Sequence, residues 1–215
     1  MPWPSGRRWL LFPITGSCVA WATVSVLAVF TDPAPVGANT FTTGNWCGSQ
    51  TVVASTDAWI DEANPTVNNG GTNPLNVQSR NANRNRRALV RFTLPSTPVG
   101  CTVTAATLRL YANSSTAGRT IDVYRASAAW NEGTVTWNTR PGTTGTAVGS
   151  ASLGVAGWQQ WTVTTHVIAQ YTTNNGFVIR DSTESENPGQ LQQVYRSREA
   201  GGTPNNRPEL IVTFG

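Results

Sequence analysis

"ALVRFTL", residues 88–94, sets Ala88, Val90, Phe92 and Leu94 on one side of an extended chain and Leu89, Arg91 and Thr93 on the other. "TVTAATLRLYA", residues 102–112, repeats the pattern, with Leu108, Leu110 and Ala112 against Thr107, Arg109 and Tyr111. Side chains alternate across a strand, so a period of two marks strands with one face turned to a core. The same alternation returns in "TIDVYRA" (120–126), "GFVIRD" (176–181), "LQQVYRS" (191–197) and "ELIVTF" (209–214). The intervening "NPTVNNGGTNP", "STPVG", "NSSTAG", "RPGTTG" and "TTNNG" consist of turn-forming residues. Strands recurring every ~10–15 residues without a long helical period predict an all-β fold, an antiparallel β-sandwich or jelly roll. One segment departs. "VTTHVIAQY" (163–171) carries Val163, Val167 and Tyr171 at intervals of four after the capping-type Thr162, which predicts one short helix.

Composition agrees with this reading. Charged residues make up 12% of the chain, and 20 Gly and 13 Pro leave little room for long helices. With 9 Trp, 6 Phe and 4 Tyr the chain is too aromatic for disorder. Its amino terminus is different in kind: Arg7 and Arg8 precede an uncharged stretch from Trp9 to Phe30. This reads as an export signal over residues 1–28, or as a membrane anchor where it stays uncleaved. Residues 29–50 then form a linker and N-terminal extension, and residues 51–215 a single domain. Loss of the signal leaves thirteen arginines against eleven acids, a charge of +2, with no lysine anywhere. That excludes the broad cationic field of a nonspecific nucleic-acid binder. The same cleavage removes Cys18 and leaves Cys47 and Cys101, a pair suited to a disulfide in an oxidising compartment.

"LAVFTDPAPVGANTFTTGNW", residues 27–46, resembles the SipW-dependent signal class of camelysin and biofilm-fibre proteins. The resemblance implies secretion with cleavage near Ala28, and motivates an alternative role as a cell-surface or biofilm-matrix structural protein. Further on, seven segments occur in the order of a DNRLRE-type domain. They are "TDAWIDEANPTVNNGGTNPLNVQS" (56–79), "NRRALVRF" (85–92), "VTAATLRLY" (103–111), "WNEGTVTWNTRP" (130–141), "WTVTTHVIAQY" (161–171), "GFVIRD" (176–181) and "YRSREAG" (195–201). That family is an extracellular β-sandwich overlapping family 96 of the carbohydrate-binding modules. The resemblance implies an acidic, alginate-like polysaccharide as partner. The chain departs from the family pattern with Trp59 where Tyr is common, and with Arg where alginate binders carry Lys.

Catalytic chemistry has little to stand on. His166 is the only histidine and lies in the apolar-periodic helix, with no nucleophile motif around it. Loop acids Glu132, Glu184, Glu186 and Glu199 select no glycosidase pair. Zinc spacing is absent. Asp57, Asp61, Glu62 and Asp181 offer oxygen ligands for a structural Ca²⁺, against the alternative that Asp57 and Asp181 cap turns. No cofactor is therefore assigned. Four tryptophans, Trp130, Trp137, Trp158 and Trp161, suit either core packing or sugar stacking. The cations are more specific. "SRNANRNRR" (79–87) reads as a polar hairpin tip carrying Arg80, Arg84, Arg86 and Arg87, and the guanidinium fork suits a uronate carboxylate. In "YRSRE", alternation sets Arg196 and Arg198 on one face beside Tyr195, as a second wall of the same site. Mid-strand Arg91 and Arg109 read as structural.

Overall fold

The computed structural model describes residues 46–186 and 191–215. The readings placed on residues 1–45, the export signal and most of the linker, lie outside the described residues. In chain order the elements are β1 (Ser49–Asp61), β2 (Asn69–Gly70), β3 (Leu75–Ser79), β4 (Arg86–Phe92), β5 (Val103–Ser115) and β6 (Thr120–Ala126). They continue with β7 (Thr143–Ala151), β8 (Gly157–Thr162), α1 (Thr164–Gln170), β9 (Phe177–Asp181), β10 (Leu191–Tyr195) and β11 (Glu209–Phe214). The fold is the expected all-β sandwich with one short helix.

Strand β1 is long enough to serve two sheets. Ser49–Val53 pairs with β11, and after a register shift between Ala54 and Thr56 the strand pairs with β4 as far as Asp61. In the first sheet β5 has β8 on one side; on the other it pairs with β11 and then with β10, which is flanked by β3. The second sheet runs β2, the latter part of β1, β4, β9, β6 and β7. All of these pairings are antiparallel. Between the sheets lie Ala88, Val90 and Phe92, the inward residues read from β4, with Leu108, Leu110, Phe177, Ile179 and Leu210.

The opposite face of the second sheet is covered too. Ala58, Ile60, Leu89 and Val178 pack under Trp130, Val135 and Trp137, which come from the turns between β6 and β7. The family-like segment "WNEGTVTWNTRP" is therefore a flap held down by tryptophan rather than a strand. Trp130 Nε1 donates to the Asn175 carbonyl at 2.8 Å, so its burial leaves no orphaned donor.

Cys47 and Cys101 form a disulfide with Cα atoms 5.8 Å apart, tying the start of β1 to the start of β5. A loop closed over a separation of 54 residues contributes about 4 kcal/mol in the chain-entropy view. The helix forms where expected, but its cap position is Val163, which makes no side-chain cap bond. Thr162 instead ends β8, paired with Thr107.

Candidate functional site

The hairpin tip between β3 and β4 is a pinned turn. Ala82 and Asn83 both take left-handed backbone, at φ 58°. Buried Asn85 holds the turn from inside: its Nδ2 donates to Glu62 Oε2 at 2.6 Å and Ser185 Oγ at 3.0 Å. Its Oδ1 accepts from the Arg80 and Ser185 backbone N–H groups at 3.2 and 2.8 Å. Asn85 thus anchors the tip to Glu62 and Ser185 and uses none of its arginine side chains. Arg84 is exposed and Arg80 half-buried, and neither has a carboxylate partner among the described residues.

Arg86 and Arg87 are bound into the protein. Arg86 pairs with Asp61 at 3.4 Å and lies over the Trp59 ring. Arg87 makes a two-pronged pair with Glu184, both contacts at 2.7 Å, and its guanidinium sits 4.9 Å from the Trp137 ring centre. Arg140, which sequence reasoning passed over, lies 4.2 Å from the same ring. It donates to the Trp137 carbonyl and has no salt bridge among the described residues. Burial, and next to it the charge of Arg87, lowers the Arg140 pKa. Cations at this end outnumber the carboxylates free to meet them.

The second wall does not join this site. β3 and β10 are antiparallel, with Ser79 opposite Leu191 and Leu75 opposite Tyr195. Residues after Ser79 and residues after Tyr195 therefore leave from opposite ends of the ladder, about 14 Å apart across four strand positions. Tyr195 is a core residue, not a surface one. It is fully buried, packs edge-on to Trp161 and donates its hydroxyl to Gln159 Oε1 at 2.5 Å. The strand also ends at Tyr195, so the alternation expected to align Arg196 with Arg198 lapses. Arg196 lies over Tyr111 and donates to Asn113 and to the carbonyls of Pro204 and Asn205. Arg198 turns to Glu132, at 2.8 and 2.9 Å, and to Glu199 at 2.9 Å.

That far end is rich in carboxylate. One oxygen each from Asp57, Glu132 and Glu199 lies within 4.8 Å of the others. Burial pushes the Asp57 carboxyl up to about 8, against the backbone N–H of Arg198; the charge of Glu199, a carboxyl–carboxylate hydrogen bond to Glu199 and the charge of Glu132 add to the rise. The four acids grouped in the sequence as calcium ligands do not meet. Asp61 accepts from the Ala63 N–H and pairs with Arg86, Glu62 holds Asn85, and Asp181 takes Arg119 and the Thr183 N–H. The turn-capping alternative holds for Asp181.

Other tryptophans and arginines settle in the scaffold. Trp130, Trp137 and Trp161 are buried, whereas Trp158 stays half-exposed, edge-on to Tyr111 and under Arg109. Arg109 pairs with Glu209, and Arg91 donates to Thr56 and the Trp130 carbonyl. His166 is buried, and burial, then Arg125, lowers its pKa.

The family model of carbohydrate-binding module family 96 matches residues 48–214. The chain belongs to this family. A comparison with curated proteins found no match. The family is one of carbohydrate binders, and two surfaces of this module carry cations or aromatics that are exposed or half-buried. One is the Arg80–Arg84 tip; the other is the strip of Arg196, Tyr111, Trp158 and Arg109 on the outer face of the first sheet.

Proposed function

We propose that this family 96 module is exported, is not catalytic, and binds acidic, uronate-type polysaccharide through the hairpin tip. The observation that carries the reading is the mismatch at that tip. Arg80 and Arg84 stand without carboxylate partners on a turn held by Asn85, while neighbouring Arg86 and Arg87 are paired. A guanidinium fork with no internal partner is free to take a uronate carboxylate in two parallel hydrogen bonds. Asn81 and Asn83 supply amides for sugar hydroxyls between the two cations. Such binding is electrostatic and weakens with salt.

Affinity gel electrophoresis against alginate, pectate and a neutral glucan tests it. Retardation by the acidic gels alone, lost in the R80A/R84A variant, is the expected result. Equal retardation by neutral and acidic gels refutes the arginine role.

A second surface is favoured by one observation, the chain of ring contacts from Arg196 through Tyr111 and Trp158 to Arg109, the last three on strands β5 and β8. If retardation survives R80A/R84A and is lost in R196A/W158A, the polysaccharide lies on that strip.

A further inference from the structure

Three carboxylates converge at the far end of the β3–β10 ladder, and their bonds do not account for them. Asp57 is wholly buried, yet its Oδ1 has no hydrogen-bond partner among the described residues. Glu199 Oε2 is likewise enclosed and unpartnered. The remaining bonds are directed. Asp57 Oδ2 accepts from the Arg198 N–H at 2.7 Å, and Glu132 Oε1 accepts from the Asp57 N–H at 3.2 Å and from Arg198 Nε at 2.8 Å.

The scaffold holds these groups in place. Asn68 Nδ2 donates to the carbonyls of Glu132 and Val135 at 2.8 and 2.7 Å, fixing the flap that carries Glu132. Gly70 lies so close that a Cβ there would sit 1.9 Å from the Glu132 carbonyl oxygen. A buried carboxylate oxygen left without donor or cation is costly. Three carboxylates against the single guanidinium of Arg198 leave two negative charges when all are ionised.

We infer that Asp57, Glu132 and Glu199 form a binding site for one divalent hard cation of the Ca²⁺ type. The cation balances the two residual charges and takes up Asp57 Oδ1 and Glu199 Oε2, which have no donor among the described residues when both groups are ionised. Calcium binds oxygen at about 2.3–2.6 Å in irregular geometry, so oxygens on opposite sides of it stand up to about 5 Å apart. The 4.8 Å limit on the separations here fits that span. The Glu199 side chain keeps 24% exposure, so water from solvent can complete the coordination. Bound there, the ion ties β1, the tryptophan flap and the segment after β10 to one another. This inference is independent of the sugar reading.

The test is calcium titration of chelator-treated protein with no polysaccharide present, followed by calorimetry and by thermal unfolding. Expected are one site per chain, a rise in Tm with CaCl2 that EDTA reverses, and at least tenfold weaker binding in E199Q and D57N. Glu199 is partly exposed, so E199Q keeps the test sound if D57N fails to fold. Absence of binding heat and of a Tm shift in the wild type overturns the inference. An equal calcium response in E199Q overturns it too, because the ion would then lie elsewhere.

Discussion

The two ends of the β3–β10 ladder have opposite electrostatic problems. At the tip end every described carboxylate near β4 is engaged, and arginines are left over. At the Asp57 end one arginine serves three carboxylates, and oxygens are left over. A satisfied pair resists loss of either member, whereas a surplus charge waits for something from solution. One end therefore favours an anionic ligand and the other a cation, on a module whose net charge conceals both.

The largest effect is expected where the tip end is most completely satisfied. Asp181 is almost wholly buried and its carboxylate is held two-pronged by Arg119, at 2.9 Å and 2.6 Å. R119A leaves that charge buried and unpaired, at a cost of about 3–5 kcal/mol. Urea unfolding measures it, and D181A added to R119A should recover part of the loss. A cost near zero for R119A would mean that the tip end is not a satisfied network.

Next comes G70A at the opposite end. Its new Cβ meets backbone of Glu132 rather than a flexible side-chain tip, so the flap must move. Overpacking of this kind costs about 1–3 kcal/mol. The variant should lose stability and leave the R119A cost unchanged, since the two sites share no partner. Coupling between them in a double mutant would show that the ends are not separate.

Much of this architecture was legible in the sequence, for a physical reason. β5 and β11 face the core on one side only, and one buried face writes a period of two into the chain. In β4 and β9 the flap also covers Leu89 and Val178, and the alternation shows through Arg87, Arg91 and Arg180. β7 was not legible: "TTGTAVGSA" is an edge strand with little buried surface, and so carries no alternation. β1 escaped because it changes sheets, and its register shift breaks the period at Ala54. The flap was visible as a tryptophan-rich motif but not as a cover for Leu89 and Val178, since turns bury side chains without periodicity. For the site, the tip arginines were visible as a local cluster. Their separation from Arg196 and Arg198 was not, because it depends on which strand β10 pairs with and in which direction. The Asp57–Glu132–Glu199 convergence joins residues 75 and 67 positions apart, and no local pattern marks it.

A smaller effect separates both ends from the rest of the molecule. His166 lies at neither end, and its folded-state pKa is lowered from 6.5 by burial and by Arg125. The folded protein therefore takes up this proton less readily than the unfolded chain. Stability from His166 is complete above about pH 6.5 and is lost as pH falls from there through the lower folded pKa. The difference in unfolding free energy between wild type and H166Q isolates the imidazole from the carboxylates. That difference should shift against the wild type on acidification below pH 6.5. A difference independent of pH would mean that the imidazole is not buried in its neutral form.

The smallest effect on stability belongs to the residues given the largest role in binding. Arg80 and Arg84 have no carboxylate partner among the described residues, so removing them deprives no described acid of its bond. R80A/R84A should unfold at the wild-type Tm. Its affinity for a polyuronate should fall by at least about tenfold, as each lost charge-assisted hydrogen bond is worth about 1.5–3 kcal/mol and 1.4 kcal/mol is tenfold. The salt dependence of the remaining affinity should be shallower, with fewer cations engaged. R87A is the control, because it removes one cation from the two-pronged pair with Glu184 and leaves that acid only its longer contact to Arg180 at 3.5 Å. That variant should lose stability first and affinity only through it. If instead R87A and R80A/R84A have the same profile, pairing does not distinguish these arginines, and the contrast between the two ends loses its meaning for ligand binding.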